Sequence, residues 1–242
     1  MLLSAEKVAR HFGSFRAVAG ADISVEEGEI VGLIGPNGAG KSTFFNCLAG
    51  DIAPSSGRIV FDGIDVTNAP AEAHARLGIG RTFQVPTTFE DMTILDNVMV
   101  GAFLRHKRRG EARDRALEVI EMTGLKEQAR LRARSLGTPG RKRLEIARVL
   151  AAGPRLMLLD EALAGLTPRE IQRAIELVRA IHARGVTLVI VEHIMEVILS
   201  LTGRVLVFNQ GHVIASGKPQ DVVNDPAVIE AYLGRGHRRA PR

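Results

Sequence analysis

The 242-residue chain has no tryptophan, one tyrosine and one cysteine. A single thiol, Cys47, excludes an intrachain disulfide framework and fits a reducing compartment. Its expected place is the core, as a small buried hydrophobe. Aromatics are 4% of the residues, and none is interleaved with the basic runs, so base stacking on nucleic acid is not expected. A secretory leader is not expected either, because "MLLSAEKVAR" turns charged almost at once. The longest apolar stretch, "VTLVIVEHIMEVILSLTGRVLVF", is broken by Glu192, His193, Glu196 and Arg204. That is too much charge for a hydrocarbon core. If the protein works at a membrane, it does so from the water side.

What remains is an ordinary soluble composition, 45% hydrophobic and 24% charged, with a formal net charge of +5. Much of the basic excess sits in "RHKRR" (105–109) and in the tail "GRGHRRAPR" (234–242). Both read as solvated charge, a loop and a frayed terminus, in preference to a nucleic-acid or lipid patch.

Short apolar runs alternate with helical patterns, which predicts an α/β fold with a largely parallel sheet. Strands are expected at 29–34, 57–63, 77–83, 155–160 and 186–192, and a hairpin at 204–217 turning on "NQG". The runs "RLMLLD" and "VTLVIVE" are continuously apolar, as strands buried on both faces are. From about 95 to 152 the pattern is helical, in "ILDNVMVGAF", "EARDRALEVIEMTG" and "RKRLEIARVLAAG". The expected organisation is one domain, with a core of about 1–88 and 153–242 and a helical lobe of about 89–152.

The strongest local signal is "GPNGAGKST", residues 35–43. Gly35, Gly40, Lys41 and Ser42 fit the phosphate-binding pattern G-x-x-x-x-G-K-[ST], with a strand before and a helix after. Glycines let backbone N–H groups curl around phosphates, and the helix that follows points its positive end at them. Lys41 adds charge, and the Ser42 hydroxyl suits Mg²⁺. Asp160 ends a buried apolar strand, where a phosphate-loop protein needs a carboxylate beside its metal. Glu161 comes next. It could polarise a water for hydrolysis, or it could simply favour a helix N-terminus; the residue alone leaves both readings open.

Together these motifs resemble the nucleotide-binding subunit of an ABC transporter, in order over nearly the whole chain. The resemblance implies a P-loop NTPase of the ABC ATPase type: a RecA-like core, an antiparallel β subdomain and an inserted helical subdomain. It implies ATP binding by Gly35, Pro36, Asn37, Gly38, Ala39, Gly40, Lys41, Ser42 and Thr43, with Phe12 stacking on adenine. Gln84, in "GRTFQ", matches the glutamine that joins Mg²⁺ and the γ-phosphate, so the implied metal set is Ser42, Gln84 and Asp160. Glu161 and His193 take the catalytic places, and "AGLTP" (164–168) is similar to the loop that crosses the dimer interface. "RLEIAR", "AGLTP", "VEHIME" and the ending "GKPQDVVNDPAVIEAYLG" look like the ATPases of branched-chain amino acid importers.

The implied partners are a second ABC ATPase subunit, identical or not, two transmembrane permease subunits and, indirectly, an extracytoplasmic solute-binding protein, with no nucleic acid. The implied location is cytoplasmic, peripheral on the inner face of the cell membrane. The alternatives are a soluble ABC ATPase that never meets a membrane, a P-loop kinase or small switch, and a regulatory subunit with weak hydrolysis. One cassette and one cysteine argue against the first; the Asp160–Glu161 pair, the distant His193 and the helical lobe argue against the second.

The chain departs from the family at its signature, which reads close to L-S-G-G-Q. Here the matching residues are Leu136, Gly137, Thr138, Pro139 and Gly140. The serine hydroxyl and the glutamine amide are missing, and Pro139 has no N–H to offer. The expectation is asymmetric: a complete ATP site of its own, and a weakened face for a partner's ATP.

Overall fold

The computed structural model describes residues 1–233; the basic tail at 234–242 lies outside them. The chain forms two compact units. One is Met1–Ala71 with the stretch from Val189 on, and the other is Glu72–Leu188.

The first unit opens with β1 (Leu3–Phe12), β2 (Phe15–Val25), β3 (Ile30–Ile34), α1 (Lys41–Ala49), β4 (Ser56–Phe61) and β5 (Ile64–Asp65). β1 lies between β2 and β4, antiparallel to both, with Leu3 opposite Val25 on one side and Phe61 on the other. Alternating burial along β2 and β4 marks a sheet with one covered face. Neither β1 nor β2 was expected as a strand from its residues. The Asp62–Gly63 turn joins β4 to β5 as a hairpin, as the sequence predicts.

The second unit holds α2 (Ala71–Leu77), β6 (Ile79–Arg81), α3 (Ile94–Ala102), α4 (Arg109–Met122), α5 (Thr138–Ala151), β7 (Leu156–Asp160) and α6 (Pro168–His182). β6 and β7 are parallel, with Arg81 opposite Leu158. β6 is shorter than the expected 77–83, because α2 runs to Leu77. α3 packs on α4 and α5. Ile94, Val98, Ala112, Ala116, Val119, Leu144 and Ala147 close that core at 0–1% exposure, a set spaced three, four and seven apart as helical faces require. α6 buries Ile171, Ile175, Val178 and Ile181 along one stripe.

β8 (Thr187–Val191) carries the boundary between the units. The first unit then finishes with α7 (Met195–Leu201), β9 (Arg204–Asn209), β10 (His212–Gly217), α8 (Pro219–Val222) and α9 (Pro226–Leu233). β3 runs parallel to β9, with Ile34 opposite Val207, and β9 pairs antiparallel with β10. Its core joins Ile34, Ile198, Val205, Val207, Val222 and Val228. Phe44 of α1 tilts against Phe208 at 5.1 Å between ring centroids. Among the described residues no helix is long and apolar enough to cross a membrane.

Candidate functional site: a phosphate loop and an acidic strand end

In the first unit, the loop at 35–40 joins β3 to α1, and neighbouring backbone sets its shape. Gly35 has φ +146, and a Cβ there would meet the Phe208 carbonyl oxygen at 2.1 Å. Gly40 has φ +102, and a Cβ there would meet the Ala17 carbonyl oxygen at 2.3 Å. Both motif glycines are therefore required by close approach, one to β9 and one to β2. The Gly211 N–H donates to the Ala39 carbonyl (2.8 Å), so the β9–β10 turn supports the same loop. Lys41 is 5% exposed. Its Nζ donates to the carbonyls of Gly35 (2.6 Å) and Pro36 (2.9 Å). Asn37, Gly38 and Ser42 are exposed, and Pro36, Ala39 and Thr43 are partly or fully buried. The first turn of α1 carries no acidic residue, so none of its own side chains offsets the positive helix end.

Phe12 ends β1 in the open, at 47% exposure, with the Arg10 guanidinium over its ring at 4.8 Å. His193 follows β8 and is exposed; its N–H donates to the buried Glu192 (3.3 Å). Cys47 is buried, and burial pushes its thiol pKa up to about 11. Tyr232 of α9 takes a backbone hydrogen bond from Gly35, a contact that nothing in the sequence signalled.

In the second unit, β7 is buried from Leu156 through Asp160. Its last carboxylate meets Arg81 at 3.4 Å, with both side chains largely buried, while the Asp160 N–H donates to Thr82 Oγ1 (3.2 Å). Arg81, a residue the sequence did not single out, also lies over Phe83 at 4.4 Å. Glu161 has φ +47. Gln84 Nε2 donates to Glu161 Oε2 at 2.7 Å, so the structure joins two residues that the sequence separates widely.

The loop carrying Gln84 rests on α5. The Thr87 N–H donates to Glu145 Oε1 (3.3 Å), and Arg148 reaches Thr87 Oγ1 (3.3 Å) and lies over Phe89 at 5.3 Å. Burial raises the Glu145 pKa against these hydrogen bonds and the Arg148 charge.

The 136–140 stretch differs from the sequence reading in one respect. The expected helix began after it, but α5 begins inside it, at Thr138 with Gly137 as the cap. Pro139 therefore sits in the first turn, where a backbone N–H has no intrahelical partner and proline's fixed φ suits the helix. A Cβ on Gly140 would lie 3.0 Å from Leu136 Cδ2, so the consensus glutamine could enter only if Leu136 gave way.

The phosphate loop, Phe12 and His193 thus belong to the first unit, and Gln84, Asp160, Glu161 and residues 136–140 to the second.

Residues 18–164 match the family described as ABC transporter, and residues 212–238 match the family described as branched-chain amino acid ATP-binding cassette transporter. The chain is 36% identical to the high-affinity branched-chain amino acid transport ATP-binding protein LivG of Salmonella typhimurium, over 96% of this chain and 98% of that protein. It is 37% identical to BraF of Pseudomonas aeruginosa, which carries the same description, at the same coverage. The fold matches a nucleotide-free ATP-binding cassette from an ABC transporter, with a TM-score of 0.88 and 30% identity over 96% of this chain and 99% of that one. A dimeric cassette in a post-hydrolysis state, bound to ADP and Pi, matches with a TM-score of 0.81 and 26% identity over 90% of this chain and 99% of that one.

Proposed function

We propose that this chain, which belongs to the ABC transporter family of ATP-binding cassettes, is the ATP-binding and hydrolysing subunit of an importer for branched-chain amino acids or a related small solute. As a family member it is an ABC-type ATPase. The observation that carries the reading is the backbone-built loop at Gly35–Thr43 in a chain whose buried β7 ends in Asp160 and a Gln84-held Glu161. The solute class rests on the names of the relatives and on the match at 212–238.

In this reading the loop N–H groups, Lys41, Ser42 and Thr43 hold the phosphates of ATP, and the exposed Phe12 ring stacks on adenine. Ser42, Gln84 and Asp160 would hold Mg²⁺; their donors are all hard oxygens, which suit that ion. Bound there, the ion would neutralise charge on the phosphates. Glu161 polarises the attacking water, and His193 contacts the γ-phosphate. Residues 136–140 face the ATP of a second subunit, so ATP joins two cassettes and hydrolysis releases them. The closing pair drives two transmembrane permease subunits from the cytoplasmic face, and a solute-binding protein delivers cargo outside.

The test is the mass of purified Glu161→Gln by light scattering, with and without ATP. A monomer that becomes a dimer on ATP supports a pair of identical chains. A monomer that binds ATP and never pairs supports a second reading, motivated by Pro139 and Gly140: an obligate, different partner that brings the stronger signature. A chain that does not bind ATP overturns both.

A further inference from the structure

Hydrolysis needs Glu161 aimed, and Glu161 stands in a backbone conformation that residues with a side chain rarely adopt, φ +47. Such conformations are strained and persist only where surrounding structure imposes them. Here the surroundings are specific. The Ala164 N–H donates to the Glu161 carbonyl (3.1 Å) and closes a four-residue turn. Lys142 Nζ then donates to both ends of that turn, the Glu161 carbonyl at 3.1 Å and the Ala164 carbonyl at 2.7 Å. Lys142 is 7% exposed. Lysine is seldom buried unless partners repay its lost hydration, and an ammonium with three N–H donors suits two converging carbonyls.

We propose that Lys142 is a positioning residue for hydrolysis. Its ammonium clamps the turn that begins at Glu161, so the carboxylate leaves the backbone in one direction, and Gln84 holds its far end. Because Lys142 lies on α5, the clamp also ties that direction to the helix that opens at residues 136–140. The inference rests on the reading of Glu161 as the group that activates water.

Four variants of the full chain decide it: Lys142→Met, Lys142→Arg, Glu161→Gln and the Met–Gln double variant. Each is measured by single-turnover hydrolysis of radiolabelled ATP with protein in excess, and separately by binding of a fluorescent ATP analogue. Lys142→Met should slow hydrolysis about 10–100-fold, the scale expected when a catalytic group is displaced by about an ångström, and leave analogue affinity within about twofold. In the Glu161→Gln background it should slow nothing further, because it acts through Glu161. Lys142→Arg should recover most of the rate. Lys142 also borders a cavity of about 410 Å³ with Pro139, Arg143, Leu163 and Leu166, which gives a guanidinium room.

Wild-type hydrolysis in Lys142→Met, with a slow Glu161→Gln, overturns this inference alone. A full further loss in the double variant also overturns it, since Lys142 would then act elsewhere. Wild-type hydrolysis in Glu161→Gln overturns the reading of Glu161 and this inference together. Should Lys142→Met not fold, Lys142→Ala, which removes every donor to the two carbonyls and adds no bulk, takes its place, and a wild-type rate there again overturns the proposal.

Discussion

The two units solve the same problem of holding a charged site in place by different means. The phosphate loop is shaped by backbone against backbone: Gly35 under Phe208, Gly40 beside Ala17, Ala39 bonded to Gly211. The acidic strand end is shaped by side chains: Arg81 on Asp160, Gln84 on the Glu161 carboxylate, Lys142 on the Glu161 carbonyl. Backbone packing tolerates no added atom, whereas side-chain hydrogen bonds can be removed one at a time. The first unit should therefore fail as a whole when its loop is altered, and the second should lose rate in steps while staying folded.

The largest effect expected from breaking this contrast is that of Gly35→Ala. A Cβ 2.1 Å from a carbonyl oxygen forces β3 from β9. The cost should be about 3 kcal/mol or more, read calorimetrically as a fall in Tm of roughly 6–12 °C for a chain of this size. ATP binding should be lost with it. A normal Tm would mean that the loop relaxes and that backbone packing is not its constraint.

Lys41→Ala comes next. The lysine is a side chain in the backbone-built unit, so it should behave like the second unit's residues. We expect a folded protein with ATP affinity lowered about 10–100-fold, as for one lost charge-assisted hydrogen bond of about 1.5–3 kcal/mol. Titration calorimetry measures this, and unchanged affinity would remove Lys41 from the phosphate site.

The smallest effect is expected at Glu145, which links α5 to the Gln84 loop. Burial raises its folded-state pKa above the ordinary 4.5. The stability this gives is present below that value and is lost as pH rises through the raised pKa. Glu145→Gln keeps an acceptor for the Thr87 N–H and does not titrate. Its stability relative to wild type should rise by under about 1 kcal/mol toward pH 8, on the scale of one neutral hydrogen bond, and the two should converge near pH 4. Parallel denaturation profiles across that range would mean that burial does not raise the Glu145 pKa.

Much of this was legible in the residues. β3, α1, β7, β8 and the β9–β10 hairpin fall where apolar runs and turn residues predict them, because those signals are local. The glycine loop was legible because its motif is one contiguous run; the structure adds that Gly35 and Gly40 stand where neighbouring backbone leaves no room for a Cβ. β1 and β2 were not legible, since their strand character comes from pairing with each other and with β4. α5 starts ahead of the expected "RKRLEIARVLAAG", at Thr138, because proline in a first turn costs no intrahelical hydrogen bond and its fixed φ suits a helix start.

The sequence by itself determined β3, α1, β7, β8 and the β9–β10 hairpin, the glycine loop, Asp160 at the end of β7 with Glu161 after it, and the family these motifs mark. Only the tertiary structure decided that Gln84 meets Glu161, that Arg81 meets Asp160 and that Lys142 reaches the turn beside it. Those pairs lie 77, 79 and 19 residues apart in the chain. No local pattern encodes them. They exist because parallel strands end side by side and because α5 packs where its lysine reaches two carbonyls that the fold had already turned toward it.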